Sequence, residues 1–293
     1  MASTTSDAHA ISDESRKTPQ PSAVPGIPLN AFGMTFGLMG LAGTWTEASR
    51  SLGTSILVGE ILWAIATIVW ITTVTLYIIR AKSMRRIMAD LTHPVLGPFA
   101  ALIPISGILL GGHLFAMWPI VGTILVWAMF TVSIVFGTWF ISQLLTVPKG
   151  FTAMHGGYLL PTVAAGLISA QSLATIGAHA AAVAAFGVGL LFWLLIGGAL
   201  IARLVAGPEI PGGLLPSLAI LAAPPAVAGN AWWGSSATFA MRVLTTNTSP
   251  WSTIAAWLIV GIATVVIGAI ALQSIRLWVK NRSAIHVLTT TEG

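Results

Sequence analysis

The sequence predicts an all-α integral membrane protein, built from repeated helical hairpins around a central pathway and crossing the bilayer about eight times. Three observations carry this. Of the 293 residues, 56% are hydrophobic and only 7% charged, against about 25% charged in an average soluble domain. A span rich in Gly, Ala and Pro is followed four times by a bulkier apolar span that stops at a basic residue, namely Arg80, Lys149, Arg203 and Arg276, and such self-similarity marks one supersecondary unit reused within a membrane. Finally, the apolar runs have the length of a crossing, about 20 residues.

Residues 1–27 form a polar leader with Asp7, Asp13, Glu14, Arg16 and Lys17. It lacks the basic start and apolar centre of a signal peptide, so it reads as a disordered cytoplasmic tail. The membrane domain is expected over 28–280 and a cytoplasmic C-terminal tail over 281–293. Within the domain the crossings fall at 29–46, 54–79, 95–115, 118–146, 157–177, 179–204, 214–240 and 252–278. With the N-terminus inside, nearly all Lys and Arg of the chain lie on the cytoplasmic side, leaving Arg50 and Arg242 outside. A multi-pass protein of the cell (plasma) membrane with both termini cytoplasmic follows. The net charge of +5 is explained by those span ends, and nucleic acid is not an expected partner. Absence of cysteine removes disulfides, thiolate nucleophiles and Cys-based metal sites.

Odd and even spans differ. The odd ones carry Gly33, Gly37, Gly40 and Gly43; Pro98, Pro104 and Gly107; Pro161 and Gly166; and Pro216, Pro224, Pro225 and Gly229. Backbone groups freed at such breaks are tolerated only where protein or a water-filled cavity meets them. The even spans have no proline in their interiors and are thick with Ile, Leu, Val and Trp, which suits lipid. The odd helices should therefore form an inner ring and the even ones an outer ring. Close helix packing accounts equally well for any single glycine, but prolines recurring at comparable depth point to a bordered pathway. Neutral donors on the inner spans, Thr35, Ser106, Thr162, Ser169, Gln171 and Ser172, suit an anion that must be partly dehydrated yet able to leave.

Four stretches carry a family resemblance: Asn30 to Leu38 (NAFGMTFGL), His93 to Ser106 (HPVLGPFAALIPIS), Tyr158 to Ala165 (YLLPTVAA), and Leu215-Pro216 with Ala223 to Ala226 (APPA). In this order they resemble the tellurite-resistance/dicarboxylate transporter family, which includes bacterial tellurite-resistance proteins, fungal malate permeases and plant slow anion channels. The resemblance implies a homotrimer of protomers with five hairpins each, inner helices lining an anion pathway without fixed charged ligands, and a phenylalanine plug late in the chain; no cofactor is expected. On that basis the pathway-lining residues are Phe32, Gly33, Gly37, Pro104, Gly107, Pro161, Gly166, Pro224 and Pro225, with Phe239 the nearest substitute for the gate. Arg80, Arg85, Arg86 and Lys149 would concentrate anions at the cytoplasmic mouth. One departure stands out: four hairpins are counted here, and residues 214–244 read as a fusion of the family's seventh and ninth helices.

The few intramembrane ionisable groups have simpler readings. Glu60 sits near the outer end of its span, where an interfacial role is favoured over proton coupling. Glu47 and Arg50 form a surface pair. His113, His155 and His179 lack paired ligand spacing and read as loop residues. No nucleophile with a base and no convergent carboxylates are visible, so an enzyme is not expected.

Overall fold

The computed structural model describes residues 27–81, 83–146, 153–210 and 212–233, with isolated positions 254, 257, 261 and 265. All regular elements among them are helices: α1 (Phe32–Leu52), α2 (Ile56–Ala81), α3 (Met84–Thr92), α4 (Gly97–Leu114), α5 (Pro119–Thr146), α6 (Gly156–Thr175) and α7 (His179–Ala206). An eighth segment, α8, is broken into a 3-10 turn (Gly212–Ser217), a short helix (Leu218–Ala222) and a further helix (Pro224–Trp233). α2, α4, α5, α6 and α7 are long and apolar enough to cross a bilayer. α1, at 21 residues, packs along α2 to complete the first hairpin. Of the expected eighth span, only Ile254, Trp257, Gly261 and Val265 are described, each helical and exposed.

Burial separates the helices into two layers. In α2, α5 and α7, 22%, 22% and 28% of the most apolar stretch is buried, against 67% in α4 and 83% in α6. The outer helices thus turn Ile, Leu and Val outward, where hydrocarbon solvates them as well as a protein core would. α1 packs on α4, α4 on α6, and α6 on α8, so the inner helices form an arc in chain order.

Small residues set how close each inner helix comes to its outer partner. A side chain at Gly59 of α2 would begin 3.0 Å from the Thr46 hydroxyl of α1; at Gly111 of α4, 2.8 Å from Val126 of α5; and at Gly166 of α6, 2.9 Å from Gly189 Cα of α7. Gly53, at φ +67°, ends α1 in the left-handed conformation that glycine adopts without penalty.

Each inner helix opens on a tight turn beside a proline. Pro28 caps the 3-10 turn Leu29–Ala31 before α1, Pro98 lies in Gly97–Ala101 at the start of α4, and Pro216 lies in Gly212–Ser217 of α8. α6 opens with Gly156–Leu159 and continues as a π-helical segment, Leu160–Ala164, that holds Pro161. Pro28 and Pro98 give up an N–H that a helix start leaves unbonded in any case, while Pro161 and Pro216 lie past the first turn and interrupt the helical ladder there. The breaks expected in mid-span are therefore mostly opening turns; Pro104, the third residue of the α-helical part of α4, and Pro224 lie deeper. A second π segment, Trp193–Gly197, lies in the outer helix α7, where the sequence shows no breaker beyond glycine.

Candidate functional site

The expected wall residues divide by what they touch. Phe32 is fully buried at the start of α1, edge-on to Tyr77 at 5.9 Å, in one apolar cluster with Leu102, Ile105 and Ile168 of α4 and α6. Gly33 faces Leu102 of α4 at 4.0 Å. Pro104, Pro161 and Pro224 are buried, Gly37 is half-buried, and Pro225 is exposed. Gly107 and Gly166 turn toward outer helices. A side chain at Gly107 would begin 2.6 Å from Met129 Cγ of α5 and 3.2 Å from the Trp70 ring of α2, and one at Gly166 would meet the Ala185 carbonyl of α7 at 2.9 Å. Trp70 uses the space over Gly107 to donate its indole N–H to the Ile103 carbonyl, 3.1 Å, in the turn that holds Pro104. Packing alone thus explains glycine at 107 and 166. Phe239 and Lys149 lie outside the described residues.

Hydroxyl groups sharpen the inner layer. Thr44, Thr46, Thr67, Thr73, Thr131 and Thr175 each donate to the carbonyl four residues earlier, at 2.7–3.1 Å. That local bond is the usual way for a helix in a bilayer to satisfy a hydroxyl. Thr35 of α1, Ser106 of α4, and Thr162 and Ser169 of α6 are buried with no hydrogen-bond partner among the described residues. Each buried, unmet hydroxyl costs about 1–3 kcal/mol. Four on three adjoining inner helices form a set of neutral hydroxyls in a low-dielectric setting, whose O–H groups can donate to a partly dehydrated anion.

The sequence model of the family described as voltage-dependent anion channel matches residues 26–289. The chain belongs to that family. The Tellurite resistance protein TehA homolog of Haemophilus influenzae is 28% identical to it over 174 residues, 58% of this chain and 52% of the relative. The match spans about half the length of that relative. Both findings agree with the resemblance carried by the four sequence stretches.

In this voltage-dependent anion channel family member the ionisable groups make specific contacts near the helix ends. Glu60 of α2 lies 3.3 Å from Nε2 of His113, whose ring stacks on Trp63 at 4.3 Å and 7°. Trp63 in turn donates to the Thr46 hydroxyl at 3.0 Å. His113 is thus in the last turn of α4, where the sequence reading had a loop, and it joins the first two hairpins. Glu47 is buried in α1, 3.6 Å from Arg50, and accepts from the Ser51 hydroxyl at 3.2 Å. It is therefore less of a surface residue than its sequence position suggests.

At the opposite end, His155 is another departure from a loop histidine. It is buried, caps α6 by accepting the Gly157 N–H at Nδ1 (3.1 Å), and sets Nε2 3.0 Å from the Val95 carbonyl. The two bonds together place the proton on Nε2. Burial pushes the His155 pKa down, and Arg203 pushes the same way, against the Val95 carbonyl, which raises it. Tyr158 donates to the Pro94 carbonyl at 2.9 Å. These bonds tie the start of α6 to the segment ahead of α4. A sequence signal exists for this latch: Gly-Gly-x-Leu-Leu-Pro at 156–161 recurs as Gly212 to Pro216 with one residue fewer, and Gly156 abuts the Ser217 carbonyl too closely to accept a side chain.

Of the mouth cations, Arg80 ends α2 half-buried, while Arg85 is exposed and Arg86 half-buried on α3.

Proposed function

We propose that the chain is an anion channel of the cell membrane, carrying small anions passively and under a gate along the inner face of the arc α1, α4, α6 and α8. The observation that carries this is the set of buried, unmet hydroxyls of Thr35, Ser106, Thr162 and Ser169. Neutral donors bind an anion by replacing part of its hydration, yet hold it weakly enough for release. Phe32, Gly33, Gly37, Pro104, Pro161, Pro224 and Pro225 border the path, while Gly107 and Gly166 serve it from behind by admitting the outer helices. Phe239 is the proposed gate. Arg80, Arg85, Arg86 and Lys149 supply positive potential at the cytoplasmic mouth, where they raise local anion concentration. The working form is a homotrimer with eight crossings per protomer and both termini cytoplasmic. Because four hairpins stand where the resembled family has five, the inner helices close into a narrower bundle, or a neighbouring protomer covers the gap.

The test is flux through liposomes containing the purified chain, comparing chloride, nitrate, malate and tellurite. Flux that follows the anion gradient and is insensitive to an imposed proton gradient is expected. Flux of no anion would reassign the chain as a non-conducting member of its family. Accumulation driven by protons would instead favour an exporter that uses Glu60.

A further inference from the structure

α3 is absent from the expected spans and from the inner arc. Its ends lie close to Ala81 of α2 and Gly97 of α4, both membrane-crossing helices, so it cannot leave the membrane surface. One face is fixed to the protein. Tyr77 donates to the Asp90 carboxylate at 3.3 Å, Leu91 packs on the inner apolar cluster, and Gly97 abuts the Leu91 carbonyl where any side chain would clash. The Ser83 hydroxyl accepts the Arg86 N–H at 3.3 Å and caps the helix.

The other face bears Met84 and Met88, one turn apart and 72% and 46% exposed, with Arg85 and Ala89 beside them. A pair of exposed thioether chains next to a cation is poorly suited to water. It is well suited to the boundary between acyl chains and headgroups, where the apolar chains sink and the guanidinium stays at phosphate level. Charge decides what lies there. From Arg80 to Thr92 the chain has Arg80, Lys82, Arg85 and Arg86 against a single carboxylate, Asp90, which already accepts from Tyr77. We propose that α3 is a docking surface for anionic phospholipid, with Met84 and Met88 inserted and the exposed Arg85 on the headgroup phosphate. This holds whether or not the chain conducts. It also narrows the mouth-focusing role to Arg80 and Lys149.

The absence of native cysteine makes a direct test simple. A fluorophore on Met88→Cys of the full chain is reconstituted in phosphatidylcholine vesicles containing phosphatidylglycerol, with a bromine quencher on the acyl chains of one lipid or the other. The same label on Val183→Cys, exposed on α7, gives the non-selective reference and reports proper insertion. Quenching at Met88 by phosphatidylglycerol should exceed that by phosphatidylcholine. The preference should fall about fivefold in Arg85→Gln, persist in Arg85→Lys, and vanish near about 1 M salt. Equal quenching by the two lipids overturns the proposal. So does loss of the preference when inorganic phosphate replaces chloride at constant ionic strength, which would make the surface a site for free anions.

Discussion

Gly166 discriminates between a wall residue and a packing residue, and the geometry sets the size of the effect. In Gly166→Ala the new Cβ would lie 2.9 Å from the Ala185 carbonyl oxygen and from both Cα and N of Gly189. These are backbone atoms of α7, so no side chain can rotate away. The two helices must separate by the 0.5 Å between 2.9 Å and 3.4 Å, where ordinary contact begins, and overpacking of this kind costs about 1–3 kcal/mol. Gly187, on the same outer helix, has nothing within 4 Å of its hypothetical Cβ. There alanine relieves the helix of glycine's backbone entropy and should add about 0.5–1 kcal/mol. With roughly 2–4 °C of Tm per kcal/mol for a large domain, thermal unfolding in detergent, followed by tryptophan fluorescence, should show Gly166→Ala lowered by about 2–12 °C and Gly187→Ala raised by about 1–4 °C. Chloride flux measured well below either Tm completes the assay. A Gly166→Ala protein with the parental Tm refutes the packing argument, and reduced flux alongside it would return Gly166 to the wall.

Three further outcomes are expected. Ser106→Ala and Ser169→Ala each delete an unmet buried hydroxyl, so they should slow anion flux without lowering Tm, with a gain of up to about 1 kcal/mol; a clear loss of stability would mean a partner had been removed. His155 has a folded pKa below its unfolded value, so the unfolded chain binds more protons as pH falls through about 6.5. Stability should therefore drop between pH 7.5 and 5, and a His155→Gln protein showing the same pH slope would clear His155 of the effect. Glu60→Gln should conduct like the parent and show no proton-driven accumulation, since Glu60 is half-exposed near the end of its span and set against His113; uptake coupled to a pH gradient in the parent and lost in the variant would contradict this.

The layering was legible because bilayer physics writes it into composition. A helix facing lipid carries Ile, Leu and Val without breaks, as from Ile56 to Ile79, while one facing protein needs Gly107, Gly111 or Gly166 to let its neighbours approach. Thr35, Ser106, Thr162 and Ser169 were also visible as inner-span donors, since a hydroxyl is conspicuous in such a chain. What sequence could not supply was direction. Gly107 and Gly166 read as pathway glycines because spacing alone does not say which neighbour a missing side chain faces. The Glu60–His113 and Tyr77–Asp90 bonds join separate helices, so no local pattern announces them. α3 escaped notice because its nine residues are too short and too charged to register as a crossing. Likewise the π segment at Leu160–Ala164 depends on how the α6 backbone packs around Pro161, not on proline alone.

The glycine contacts also bear on how the protein is made. Gly59 against Thr46, Gly111 against Val126, and Gly166 against Gly189 all join neighbours within a single hairpin. At these three contacts an emerging pair can lock together in the membrane before the next pair leaves the translocation machinery, whereas Gly112 against Ser172 and Gly137 against the Pro161 carbonyl await the following hairpin. A chain assembled in such units tolerates gain or loss of one whole unit better than loss of half of one, because half a unit leaves a glycine-notched face with nothing to fill it.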